Sequence, residues 1–156
     1  MKHVIIVMAV CLLSGCAITP IKVAPMPVLA SSTDGMAISD QRHVDLKLHL
    51  ANNPDPATMV GDLWQLKNGT AAQLVASIAA TKYPGATVRV IDCWVEQRSE
   101  FIRFVATARV AAEIKPDGKA SFTVRGDGRN VFENLNDRNM EIALERAFAD
   151  FAAHLP

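Results

Sequence analysis

The sequence predicts an α+β domain, a two-layer sandwich in which helices pack on one face of a mostly antiparallel sheet, with the element order β-α-β-β-β-α. Two observations carry this prediction. Apolar and polar residues alternate over 43–50, 101–114 and 120–125, which is typical of strands, and apolar residues recur at helical spacing over 70–82 and 137–155. One helix after the first strand and one after the last are typical of a sheet with helices on one face only.

The first strand is predicted over 43–50, where apolar and polar side chains alternate without a break. One face would carry Val44, Leu46, Leu48 and Leu50, and the other His43, Asp45, Lys47 and His49. The segment 52–56, with two prolines and two asparagines, ends this strand as a loop. The following stretch, 58–66, fits either a short helix or a second strand.

The first helix is predicted over 70–82. Thr70 followed three residues later by Gln73 is a capping-box pattern, which satisfies the free N–H groups at a helix start. The apolar stripe consists of Ala71, Leu74, Val75, Ile78 and Ala79. Tyr83-Pro84-Gly85 ends the helix.

Three strands are predicted next. The stretch 87–97 is rich in Val, Ile and Trp and is apolar on both faces, so we expect a central strand covered on both sides. Uninterrupted alternation would place Asp92 and Glu96 on one face with Val88, Val90 and Trp94.

The stretch 101–114 is the longest strand candidate, and its inward residues would include Phe104, Ala106, Ala108 and Ala112. The turn residues of 115–119 lead into a partner strand from Ala120, which makes an antiparallel hairpin. Gly126-Asp127-Gly128 is expected to end the pairing as a turn.

The last helix is predicted over 137–155, with Asn136 as its cap. Its apolar stripe consists of Met140, Leu144, Ala147, Phe148, Phe151 and Leu155.

The charge balance argues against a nucleic-acid partner. Sixteen Lys and Arg residues offset 16 Asp and Glu residues, whereas nucleic-acid-binding domains are strongly basic. The same balance argues against strong electrostatic docking on anionic lipid.

The N-terminus has the features of a secretory signal. Lys2 supplies a positive charge, residues 4–13 are apolar, and small residues follow at 14–15. An apolar run of about ten residues is too short for a membrane span, which needs about twenty.

Leu13-Ser14-Gly15-Cys16 resembles the lipobox of bacterial lipoproteins. In that family a diacylglycerol is joined to the cysteine thiol, the signal is cut before that cysteine, and the new amine is acylated, commonly with palmitate. The resemblance therefore implies lipidation of Cys16 and anchoring in a membrane, which two or more acyl chains make stable. In enterobacterial members an Asp after the cysteine favours the inner membrane. Ala17 therefore predicts the outer membrane facing the periplasm, with the inner membrane and the cell surface as alternatives.

These features divide the chain into a signal peptide (1–15), a lipidated cysteine with a flexible tether (16–39), and a single periplasmic α+β domain (40–156). Pro20, Pro25 and Pro27 discourage regular structure in the tether. With Cys11 removed and Cys16 lipidated, Cys93 would be the one remaining thiol. We expect it to be buried and inert, with an intermolecular disulfide or a reactive thiol as alternatives.

No residue pattern predicts a catalytic, cofactor or metal site. His43 and His49 would lie about 20 Å apart along a strand, too far to share a metal ion. Asp92 and Glu96 would lie about 13 Å apart, beyond the range of a carboxylate pair, and a salt bridge to Arg103 or Arg109 is expected instead. Arg125-Gly126-Asp127 spells an integrin-binding tripeptide, which we attribute to turn chemistry. Trp64 and Tyr83 fit either the core or a partner-binding surface.

The order of elements loosely resembles small periplasmic lipoproteins that assist envelope transport, such as the auxiliary lipoproteins of ABC transporters and the lipopolysaccharide-assembly lipoprotein. That resemblance implies a non-enzymatic accessory or assembly factor that docks on a cell-envelope complex for transport or secretion. The alternative is a carrier for a lipid or another apolar ligand, held beside the small residues Ala106, Ala108 and Ala112. An enzyme with dispersed catalytic residues is the third and least favoured class.

Overall fold

A two-layer α+β architecture is seen in the computed structural model. It describes residues 18–21, 33–42, 63–66, 70–100, 103–133 and 137–156. The main sheet has the strand order β2-β4-β5-β6. Its strands are β2 (Ala37–Asp40), β4 (Thr87–Glu100), β5 (Arg103–Lys115) and β6 (Phe122–Phe132). Two helices, α1 (Ala71–Ala80) and α2 (Asp137–Ala153), pack on one face of it.

The predicted fold class is confirmed, and the predicted order β-α-β-β-β-α is approximately matched. The first strand of this order is β2, which pairs in parallel with β4, while β4, β5 and β6 are antiparallel. The strand predicted over 43–50 lies outside the described residues.

A second, two-stranded sheet pairs β1 (Ile18–Ile21) in parallel with β3 (Leu63–Leu66). In the stretch 58–66, for which either a helix or a strand is predicted, β3 makes residues 63–66 a strand, and residues 58–62 lie outside the described residues. Both β1 and β2 lie in the segment predicted as a tether, so the structure differs from the expectation there. Pro20 is compatible with β1 because proline, which lacks an N–H donor, is tolerated in the edge strands of a sheet, and β1 belongs to a two-stranded sheet.

α1 begins as the sequence predicts. Thr70 N donates to Gln73 Oε1 at 2.8 Å, and Gln73 N donates to Thr70 Oγ1 at 3.2 Å, which is the reciprocal capping box. α1 lies over β2 and β4, and α2 lies over β5 and β6. We call the sheet face under the helices the inner face and the opposite one the outer face.

A β-bulge between Val90 and Asp92 corrects the predicted faces of β4. The extra residue moves every later side chain to the other face. Val88 and Val90 are therefore buried on the inner face, whereas Asp92 shares the outer face with Trp94 and Glu96. The strand is central, and it is buried on both faces from Cys93 to Val95.

The turn predicted at Gly126-Asp127-Gly128 is wrong, since β6 continues through it to Phe132. Both glycines are buried and lie against the backbone of α2. A Cβ at Gly126 would lie 2.7 Å from Phe151 Cα, and one at Gly128 would lie 2.5 Å from Ala147 N. Glycine is required here for close approach of a helix and not for a turn.

The core lies between the helices and the inner face. The predicted stripe of α2 is buried, and so are Ala106, Ala108 and Ala112 of β5. These alanines are packed in the core cluster with α2. The space beside them, which the carrier hypothesis needs, is therefore occupied.

Side chains of α2 form hydrogen bonds with backbone groups along the unpaired edge of β6 and so cap that edge. Asp150 Oδ2 accepts a hydrogen bond from Asp127 N at 3.0 Å, and Arg146 Nη1 donates to Arg129 O at 2.5 Å. Asn130 Nδ2 donates to Asn139 Oδ1 at 3.1 Å. Edge strands attract other strands through such backbone groups, so this capping disfavours strand addition at β6.

Candidate functional site: the outer face of the sheet

The outer face is defined by register. Arg89 faces Glu113, Trp94 faces Arg109, and Arg109 faces Asp127 across the three long strands. These side chains alternate with the buried inner residues because successive residues of a strand point to opposite faces. The result is a surface of charged side chains around an aromatic ring.

Asp127 organises the middle of this face. Its Oδ1 accepts a hydrogen bond from Arg109 Nε at 2.9 Å, and its Oδ2 accepts one from Arg125 Nε at 2.7 Å. Arg125 Nη2 also donates to Oδ1, at 3.1 Å. Burial alone would raise the pKa of Asp127, but these hydrogen bonds and the two positive charges bring that pKa below its ordinary value.

Trp94 lies beneath the same network. The guanidinium carbon of Arg109 lies 5.2 Å from the centre of the Trp94 ring, which is a cation–π contact. Trp94 is 9% exposed, and among the described residues no acceptor reaches its buried Nε1. Arg109 is thus held from two sides, by a ring below and a carboxylate beside it.

The two carboxylates singled out in the sequence have different surroundings. Glu96 pairs with Arg98 at 2.9 Å and accepts a hydrogen bond from Thr107 Oγ1 at 3.1 Å, so its ion-pair partner is not one of the predicted arginines. Burial raises the pKa of Asp92, although the charges of Arg109 and Arg125 act to lower it. Among the described contacts the predicted salt bridge from Asp92 to Arg103 or Arg109 is not formed, and Arg109 acts on Asp92 only through its charge.

A cavity of about 230 Å³ opens at one end of the outer face. Its lining residues are Ser39, Thr87, Arg89, Glu113 and Lys115. Arg89 forms an ion pair with Glu113, while its buried Nε has no acceptor among the described residues. The cavity has two hydroxyls, two cations and one carboxylate, and its size suits a small group rather than a drug-sized ligand.

Arg42 ties the end of β2 to β4. Its side chain, 2% exposed, donates from Nη1 to Cys93 O at 3.1 Å and from Nε to Asp40 Oδ1 at 2.9 Å. Such a buried pair is costly to break, because removing one partner leaves an uncompensated charge. Arg42 therefore has a structural role in joining β2 to β4, and its charge also acts to lower the pKa of Asp92.

Cys93 is buried, as predicted, with 1% of its surface exposed. Burial raises the pKa of its thiol to about 12. Since the thiolate is the reactive form, this cysteine is inert at neutral pH.

The remaining predicted residues are placed as follows. Cys16, His43, Asp45 and His49 lie outside the described residues, and so does the side chain of Trp64. Tyr83 packs edge-on against Phe122 at 5.4 Å, and its hydroxyl donates to Pro156 O at 2.5 Å. Tyr83 therefore anchors the chain beyond α2 to the turn after α1.

Two further findings concern only the described part of the chain. It contains no cluster of three or more His, Cys, Asp or Glu side chains placed to hold a metal ion. None of its helices is long and apolar enough to cross a membrane.

Sequence reasoning missed the Asp127 network. The alternation Arg125, Asp127, Arg129 was visible, but the intervening glycines were interpreted as a turn. Had the strand been extended, alternation would have placed all three on one face.

Comparison with known proteins assigns no family to this arrangement. No protein-family model matches the chain, and no curated protein matches it significantly.

Proposed function

We propose that the chain is a bacterial lipoprotein whose folded domain acts as a non-enzymatic accessory that docks on a cell-envelope complex. The observation that carries the proposal is Leu13-Ser14-Gly15-Cys16 directly after an apolar segment with a charged start. Lipid on Cys16 would hold the domain on the outer membrane, facing the periplasm.

The described surfaces support docking over catalysis. The outer face has ordered arginines around an aromatic ring, and Arg and Trp are enriched at protein interfaces. Its carboxylates are engaged in ion pairs or lie among arginines. The one described cysteine is buried with a raised thiol pKa.

The anchor is tested by Cys16→Ala in the natural host. We expect loss of labelling by a radioactive or alkyne-bearing fatty acid and accumulation of the uncut precursor, because both steps require the thiol. Cys93→Ala is the matched control and should be labelled and cut normally. Normal processing of Cys16→Ala would contradict the lipoprotein proposal.

Docking is tested by crosslinking the native protein in detergent-solubilised envelopes and identifying the captured proteins by mass spectrometry. Reproducible enrichment of one envelope complex supports the accessory function. Recovery of a bound lipid with no enriched protein would instead support the carrier alternative.

A further inference from the structure

Positive charge is concentrated on the outer face, although the whole chain is electrically balanced. Six of the nine arginines in the sequence lie on this one face by strand register, together with Lys115. The six are Arg89, Arg98, Arg103, Arg109, Arg125 and Arg129. The same register places five carboxylates there: Asp92, Glu96, Glu100, Glu113 and Asp127. On the described strands, cations on this face therefore outnumber carboxylates seven to five.

The central arginines are ordered before any partner arrives. Asp127 and the Trp94 ring fix the position of Arg109, and Asp127 takes two hydrogen bonds from Arg125. A guanidinium has five N–H groups. In the described part of the chain Arg109 gives one and Arg125 gives two to Asp127, so both keep donors for a further carboxylate. Preordered side chains lose less entropy on binding.

The cavity extends this surface at its edge. Arg89 and Lys115 line it together with the hydroxyl-bearing residues Ser39 and Thr87. A carboxylate entering the cavity would meet two cations and two hydroxyl donors, against the single carboxylate of Glu113. One acidic side chain fits this chemistry and volume.

We propose that the outer face docks an acidic segment of a partner protein, with Arg109 and Arg125 binding its carboxylates and the Arg89–Lys115 cavity receiving one acidic side chain. The inference rests on the docking function proposed above and names the chemistry of the partner. Arginine suits this role because its planar fork binds carboxylates through two parallel hydrogen bonds.

The test is a fluorescence-anisotropy titration of the full chain as purified from its host, in a nonionic detergent, with a fluorescein-labelled oligoglutamate peptide. We expect saturable binding at low ionic strength that weakens as salt is added, since the contacts are partly exposed. Arg109→Gln with Arg125→Gln should weaken binding about tenfold or more. Lys119→Gln with Arg138→Gln removes the same charge from the β5–β6 turn and from α2, and should leave the affinity within about twofold.

Thermal unfolding of each variant keeps the comparison interpretable, because an unchanged melting temperature shows that the sheet is intact. Binding that is absent at low salt, or that both double variants weaken equally, would overturn the proposal. So would tighter binding of soluble dihexanoyl phosphatidylglycerol with the same dependence on Arg109 and Arg125, which would assign the face to a lipid surface. The titration does not depend on lipidation of Cys16, so a negative titration would not contradict the lipoprotein proposal. Normal processing of Cys16→Ala would likewise not contradict the proposal that the outer face binds an acidic segment.

Discussion

Asp92 and Asp127 are carboxylates on the same face of the same sheet, yet their surroundings shift their pKa values in opposite directions. Asp127 accepts three hydrogen bonds from two arginines, which outweigh its burial and lower its pKa. For Asp92, burial outweighs the nearby positive charges and raises the pKa. Hydrogen bonds to the charged form decide the difference.

Opposite effects on stability follow for Asp127→Asn and Asp92→Asn. A lowered native pKa means that ionised Asp127 stabilises the fold above its unfolded-state pKa of about 3.9, and that this contribution is lost as the pH falls through the native pKa. At pH 7 we therefore expect Asp127→Asn to lower the free energy of unfolding, by no more than about 1 kcal/mol because the pair is half exposed.

Asp92 behaves in the opposite sense. Its raised native pKa makes ionisation unfavourable in the fold, so Asp92→Asn should leave the protein as stable as the wild type or more stable at pH 7. The effect of Asp92→Asn should fade as the pH falls to the unfolded-state pKa, whereas the effect of Asp127→Asn should persist to lower pH and fade only through the lowered native pKa. Urea unfolding followed by circular dichroism at several pH values measures them. Equal destabilisation by both substitutions at pH 7 would contradict the assigned environments.

The residue-scale features differ in how far the sequence predicts them. The Thr70–Gln73 cap and the burial of Cys93 follow from local signals and were predicted. The sequence assigns Gly126 and Gly128 wrongly to a turn, because a glycine required for a turn and one required for close approach of a helix cannot be told apart by sequence alone. Only the position of α2 distinguishes them.

At the scale of elements, the packing of α2 on β6 depends on the absence of side chains at these two glycines. Gly128→Ala would push a methyl group into the backbone of Ala143 and Ala147, and neither can rotate away. We expect a loss of about 3 kcal/mol or more in the free energy of unfolding, at the upper end for an overpacked core. Gly126→Ala should have a similar effect through Phe151.

Thr123→Ala is the matched control, since Thr123 lies on the same strand with an exposed side chain on the outer face. It should change the stability by about 0.5 kcal/mol or less. Urea unfolding of the three variants provides the measurement. If Gly128→Ala were as stable as Thr123→Ala, the close approach of α2 to β6 would be wrong.

The elements that sequence reasoning predicted are those with local signals. α1, α2 and the β5–β6 hairpin have their periodicity, caps and turn within one short stretch. β2 was missed because its four residues pair with a strand some fifty positions away, and a short edge strand needs little apolar patterning of its own. The bulge near Ile91 was missed because alternation continues on both sides of it.

At the scale of the whole molecule, the β6 edge of the main sheet determines whether the protein self-associates at high concentration. β6 is an edge strand whose backbone groups at Asp127 and Arg129 are capped by Asp150 and Arg146. Removing the caps should expose a pairing edge. We expect Arg146→Ala with Asp150→Ala to self-associate at concentrations where the wild type does not, as measured by sedimentation velocity.

Arg138→Ala with Glu141→Ala is a charge-matched control on the same helix, because that ion pair lies within α2. This variant should sediment like the wild type. Identical sedimentation of all three proteins would show that the caps do not protect the edge.

The layered architecture was predictable from the sequence, whereas the functional surface was not. Helix stripes and alternating strands require a sheet covered on one side, and the protein has that arrangement. The concentration of arginines on the outer face arises only when three strands align in register, which depends on the bulge and on the continuation of β6. The net charge of zero for the whole chain gives no indication of this local concentration of arginines.

The position of α2 also sets the order in which the fold can be completed. The inner surface of β5 and the glycines of β6 stay uncovered until residues 137–155 are in place. Lys82 Nζ, just after α1, then donates a hydrogen bond to Leu155 O at 2.6 Å and so joins the end of α1 to the residues that follow α2. During synthesis, which proceeds from the N-terminus, the core therefore cannot close until residues 137–155 have left the ribosome.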